Sequence, residues 1–184
     1  MLKDFHGVQA RARCLYNESE VESALDRLAQ EISADFGDSD PVLLCVMNGG
    51  LIMTGKLATR LNFPLQIDYL HATRYRDRTH GSELVWKRHP QLNLSGRAVV
   101  ILDDILDEGA TLAAIIAHVK ELNPSRLAVA VLVDKLHDRK TPGVRADFVG
   151  LEVDDFYVYG YGMDFKGYLR NAPGIYAADP RDCD

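Results

Sequence analysis

The sequence predicts an α/β domain, a mostly parallel twisted sheet with helices on both faces. Two observations carry this. Residues 42–47, 98–102, 127–133 and 148–153 are short apolar runs, mostly without the in–out alternation of half-solvated strands, as expected of strands buried on both faces. Between them lie stretches whose apolar residues recur at helical spacing, and strands alternating with helices build parallel sheets covered by their own crossovers. The 184 residues, 47% hydrophobic and 26% charged, are expected to form one domain spanning 1–184, with a core that needs no metal or disulfide staple.

The elements follow in order. Asn17 and Glu20 have the spacing of a capping box, and Val21, Leu25, Leu28, Ile32 and Phe36 then mark one apolar helical face that stops at Gly37. A turn at Asp40-Pro41 leads into the first strand, 42–47, and Gly49-Gly50 breaks it before a helix over 51–61. Residues 64–70 read as the second strand. The polar stretch 73–91 has no sustained periodicity and reads as a mobile loop flanked by a short hairpin near 83–86; such long segments in compact domains are often lids. Residues 98–102 form the next strand, 112–122 its helix, closed by Asn123-Pro124, and two further strands cover 127–133 and 148–153. The tail 156–164 alternates aromatics with glycines and reads as an irregular strand pair.

Composition narrows the function. A net charge of −6 argues against binding nucleic acid through the overall field. Cys14, Cys45 and Cys183 form no CxxC pair and suit free thiols in a reducing compartment, so a cytoplasmic location is expected. The N-terminal stretch lacks the apolar core of a signal peptide, and no segment approaches membrane-spanning length. The six histidines form no metal motif, and there is no nucleophilic Ser or Cys motif.

The most informative segment is VVILDDILDEGATL, residues 99–112. The loop after a buried parallel strand lies at the carboxyl edge of the sheet, where open α/β folds bind ligands. Asp107, Glu108, Gly109, Ala110 and Thr111 would open a helix and offer backbone N–H groups and a hydroxyl to a phosphate. Asp103 and Asp104 would repel that anion unless the ligand also carries vicinal hydroxyls and a divalent cation. A ribose 5-phosphate bearing a metal-bound pyrophosphate meets those conditions.

This segment resembles the 5-phosphoribosyl 1-diphosphate (PRPP) signature of the type I phosphoribosyltransferases, with Glu108 where the family has Thr or Ser and Ala110 where it has Lys, Asn or Arg. Four further segments occur in family order. Met47-Asn48-Gly49-Gly50 resembles the pyrophosphate loop, with Asn48 in place of a Lys; the resemblance implies a cis peptide before Asn48 and backbone contacts to PRPP from Asn48 and Gly49. Lys135 matches the lysine that donates to the purine O6 in 6-oxopurine enzymes, and FYVYGYGMDF matches their purine segment. By that resemblance Tyr157 stacks on the purine, the Val158 backbone reads its edge, Asp164 joins Asp103 and Asp104 in holding Mg²⁺, and Arg170 reaches pyrophosphate. Arg74 and Tyr75 fall where the family has a Ser-Tyr lid. Asp107 becomes the candidate proton acceptor for purine N7.

The resemblance thus implies a type I phosphoribosyltransferase fold with a small hood formed by terminal segments. It implies a Mg²⁺-dependent hypoxanthine-guanine phosphoribosyltransferase of purine salvage, acting on PRPP and a 6-oxopurine as a homodimer or homotetramer, with no membrane or nucleic-acid partner. Xanthine phosphoribosyltransferase is the nearest alternative. A PRPP-sensing RNA-binding regulator of the pyrimidine-operon type is another, but it should carry a contiguous basic face and would have no evident use for the purine segment.

Overall fold

The computed structural model describes residues 5–74 and 84–183, with Arg74 by its backbone alone. The chain opens with helix α1 (Phe5–Arg11) and strand β1 (Arg13–Tyr16), then α2 (Glu18–Phe36), β2 (Val42–Val46), α3 (Leu51–Ala58), β3 (Gln66–Arg74) and β4 (Leu84–Arg88). The second half comprises β5 (Ala98–Leu106), α4 (Ala110–Glu121), β6 (Arg126–Leu136), β7 (Phe148–Asp154), β8 (Val158–Tyr159) and β9 (Ile175–Ala177), closed by a 3₁₀ turn at Pro180–Asp182. The six-stranded sheet has the order β4-β3-β2-β5-β6-β7 and is parallel except for β4, which runs antiparallel to β3 at the edge. A small antiparallel sheet, β1-β9-β8, joins the two ends of the chain into a hood.

Side-chain alternation sorts the sheet's apolar residues onto two faces. Leu43, Val100, Leu102, Ala130 and Leu132 pack with Val21, Leu25, Leu28, Ile32 and Phe36 of α2 and Met53 and Leu57 of α3. Leu44, Val99, Ile101, Val129 and Val131 face the other way, against Leu112, Ile115 and Val119 of α4. Val99 to Leu102 are all 0% exposed, which accounts for the absence of alternation in their sequence. The capping box forms as expected: Asn17 Oδ1 accepts from the Glu20 N–H at 3.1 Å, and Glu20 Oε2 accepts from the Asn17 N–H at 2.8 Å.

Several expected boundaries move. The strand read as 98–102 continues to Leu106, because Asp103, Ile105 and Leu106 keep pairing with Val131, Val133 and Asp134 of β6. Asp103 and Asp104 therefore ride on the strand and not in the loop after it. Lys135, expected just past its strand, lies within β6 opposite Val153. Thr73 and Arg74, read as the start of a loop, extend β3 by pairing with Val85 and Leu84. The helix read as 51–61 ends at Ala58. Buried Asp68 fastens the return from this hairpin, accepting backbone N–H groups of Tyr69, Gln91 and Leu92 at 2.6–2.8 Å.

Candidate active site

Parallel strands deliver their carboxyl ends to one edge of the sheet, and just beyond the ends of β2, β5 and β6 there lie Asn48, Asp107 and His137. The Met47–Asn48 peptide is cis, as the resemblance implied. The next residue touches the acidic pair: a Cβ on Gly49 would lie 2.1 Å from Asp104 Oδ2. The hood closes on the same loop, since a Cβ on Gly162, at φ 113°, would lie 2.1 Å from the Gly49 carbonyl oxygen. Glycine is therefore required at position 162 by close backbone approach, and at position 49 any side chain would displace the Asp104 carboxylate. Gly109, at φ 76°, turns the chain into α4.

Under the hood lies a cavity of about 170 Å³ lined by Asp104, Ile105, Asp107, Lys135, Tyr157, Val158, Met163 and Asp164. Five of the expected residues, Asp107, Lys135, Tyr157, Val158 and Asp164, thus meet one of the acidic pair in a single space. Tyr157 is 41% exposed and packs edge-on against Phe165 at 5.5 Å between centroids, leaving ring surface open. Val158 lies on β8, one of the two edge strands of the hood sheet. Arg170 does not line the cavity; it donates to Asp164 Oδ1 at 2.6 Å and to the Gly162 carbonyl at 2.5 Å, and stands 3.9 Å from Asp104. Asp164 Oδ2 also accepts the Gly167 N–H at 2.7 Å. Glu108 is exposed, and Ala110 and Thr111 lie in the first turn of α4. Tyr75 and the Arg74 side chain, the expected lid, lie outside the described residues.

Burial pushes the carboxyl of Asp103 well up, reinforced by the neighbouring Asp104 charge, and it also raises Asp104 against opposing help from Asp103 and Arg170. Two adjacent carboxylates, Asp104 buried and Asp103 half-buried, with Arg170 3.9 Å from Asp104, present hard oxygen donors short of positive charge. That donor set fits a divalent cation such as Mg²⁺. Asp107 differs. Burial would raise it, but hydrogen bonds from Lys135 and His137 outweigh burial and hold its carboxyl below the usual range.

Lys135, 8% exposed, donates from Nζ to Asp107 Oδ2 at 2.7 Å. His137 Nε2 meets Asp107 Oδ1 at 2.7 Å, and Arg139 pairs through both terminal nitrogens with Asp155. Asp107, His137 and Asp155 could together face a metal, but their carboxylates already hold Lys135 and Arg139, so the group reads as a hydrogen-bond network. Sequence reasoning missed His137, Arg139 and Asp155. The available signal was a histidine two residues beyond Lys135, within reach of the same carboxyl edge.

The phosphoribosyl transferase domain family matches residues 13–166. The chain belongs to this family. It is 31% identical over 163 residues to a hypoxanthine-guanine-xanthine phosphoribosyltransferase of Tritrichomonas foetus, covering 89% of both chains. It is 29% identical to a hypoxanthine-guanine phosphoribosyltransferase of Bacillus subtilis strain 168, covering 91% of this chain and 93% of that one. A solved hypoxanthine-guanine-xanthine phosphoribosyltransferase superposes with a TM-score of 0.83 at 30% identity, covering 91% of this chain and 96% of the other. The expected type I phosphoribosyltransferase fold is therefore the fold observed. Among the described residues no helix is long and apolar enough to cross a membrane.

Proposed function

We propose that this chain transfers the 5-phosphoribosyl group of PRPP to hypoxanthine or guanine, forming IMP or GMP and releasing pyrophosphate. The observation that carries this reading is Lys135. A buried ammonium in a cavity beside an exposed tyrosine face suits a flat base that brings an acceptor, and the 6-oxo group is that acceptor. The names of the relatives point the same way and favour neither a regulator nor a dedicated xanthine enzyme.

In this reading Tyr157 stacks on the base, the Val158 backbone reads its edge, and Lys135 exchanges Asp107 Oδ2 for O6. As N9 forms its bond to C1 of the ribose, the bond from C1 to pyrophosphate breaks and the N7 proton passes to Asp107. Gly109 to Thr111, with the Glu108 backbone, anchor the 5-phosphate at the α4 N-terminus, using its binding energy for position. Asn48 and Gly49 offer backbone donors to pyrophosphate, and Arg170 adds positive charge when it leaves Asp164. Asp103 and Asp104 orient the ribose hydroxyls, and with Asp164 they would hold Mg²⁺. When bound, that ion supplies the positive charge that lets carboxylates and diphosphate share one site. Arg74 and Tyr75 close over the ribose and exclude water, which would otherwise capture the activated C1. The whole chain, 1–184, acts as one domain in a cytoplasmic homodimer or homotetramer, with no nucleic-acid partner.

Lys135→Met tests the assignment of the base. It keeps most of the side chain's length but removes the donor, so kcat/KM for hypoxanthine and guanine should fall roughly 10- to 100-fold. The PRPP KM should barely move. An unchanged kcat/KM for both bases would remove Lys135 from base recognition.

A further inference from the structure

Asp107 has two partners of different kinds. Lys135 Nζ sits 2.7 Å from Oδ2, lines the cavity, and in the proposed reaction must leave Asp107 to meet the base. The other partner is His137, whose side chain is 4% exposed and whose Nε2 lies 2.7 Å from Oδ1. Nδ1 of the same ring accepts the Arg139 backbone N–H at 3.1 Å, so it carries no proton, and the ring hydrogen is on Nε2, donated to Asp107. Both ring nitrogens are satisfied, and the ring is held by a backbone bond that does not depend on substrate.

We propose that His137 is the positioning residue of Asp107, holding Oδ1 in place so that Oδ2 stays aimed at the base when Lys135 departs. This rests on the reading of Asp107 as the proton acceptor. A carboxylate with one partner lost is free to rotate about its last bond, and cationic groups nearby would draw it: Arg139 pairs with Asp155 and lies 3.9 Å from Glu108, beside the same loop. One permanent donor on Oδ1 prevents that rotation and leaves Oδ2 as the only oxygen in play. His137 needs no contact with substrate to do so.

A purely structural role, fastening the turn through Arg139, is separable because the two ring nitrogens can be imitated one at a time. His137→Gln carries an amide nitrogen at the position of Nε2, and His137→Asn carries its amide at the position of Nδ1. Steady-state kinetics with hypoxanthine should show His137→Gln within about 3-fold of the parent in kcat, and His137→Asn lower by roughly 10- to 100-fold, with the PRPP KM unchanged in both. In an Asp107→Asn background neither change should lower kcat further, since two residues acting through one group are not additive. Full kcat in His137→Asn while Asp107→Asn is impaired would overturn the proposal alone. So would equal losses in both His137 variants, or a loss that persists in the Asp107→Asn background. Full kcat in Asp107→Asn would instead overturn the reading of Asp107, and this proposal with it.

Discussion

Asp107 is held ionised by its neighbours: Lys135 and His137 each donate to one of its oxygens, and their pull exceeds the burial that opposes it. A group in that state accepts a proton only from a donor brought directly against it, which is what a purine N7 held under the hood would supply. Asp107→Asn should therefore lower kcat by roughly 10²–10⁴, the usual scale for a lost general base, with a much smaller change in PRPP affinity. Stopped assays and a PRPP titration read the two separately; a kcat near wild type with PRPP affinity lost would make Asp107 a phosphate-loop residue. Most residues of this site were legible because they fall in local motifs. Asp103, Asp104, Asp107, Gly109 and Thr111 share one run of fourteen residues, and Lys135, Tyr157 and Asp164 sit at recognisable distances from it. His137 and Asp155 were not legible, because their meaning comes from a side-chain network between separate segments.

Elements meet around Glu22 in a way no local pattern announces. On α2, Glu22 accepts from Lys56 of α3, from Arg60 just beyond it and from the Tyr161 hydroxyl of the hood, which ties the hood to the helical layer beside the Gly49 loop. Tyr161 takes a left-handed conformation at φ 48°, a position that costs a tyrosine energy and is fastened by its N–H to the Ala172 carbonyl at 3.1 Å. Burial works against the Glu22 charge, but the hydrogen bonds from Lys56, Tyr161 and Arg60 outweigh it and bring the carboxyl from an ordinary 4.5 down to about 2. A carboxyl depressed on folding adds stability that is complete above its unfolded value and is lost as pH falls through its folded one. The stability gap between the wild type and Glu22→Gln should thus be constant above about pH 5.5 and narrow as the pH approaches 3. Urea unfolding at each pH measures it; a gap unchanged down to pH 3 would contradict the depressed value. Helix α2, the parallel strands and α4 were readable from periodicity and caps, whereas α1 and β1 were not, because that short stretch finds its order by pairing with β9 at the far end of the chain. The overlong β5 and β6 have the same cause, each extended by its neighbour and not by its own residues.

At the scale of the whole molecule, a chain of net charge −6 places two adjacent acids, Asp103 and Asp104, where an anionic substrate is proposed to bind. That arrangement works only with a cation between them. Excess EDTA should abolish turnover and restored Mg²⁺ should recover it; full activity in EDTA would remove the metal from the account. The central claim is phosphoribosyl transfer to a 6-oxopurine, and the most direct measurement is nucleotide formation from PRPP and Mg²⁺ with hypoxanthine, guanine, xanthine and adenine supplied one at a time. The account predicts IMP from hypoxanthine and GMP from guanine, each with release of pyrophosphate, and rejection of adenine, whose 6-amino group would face the Lys135 ammonium. No nucleotide from either hypoxanthine or guanine, or adenine used as readily as hypoxanthine, would contradict it.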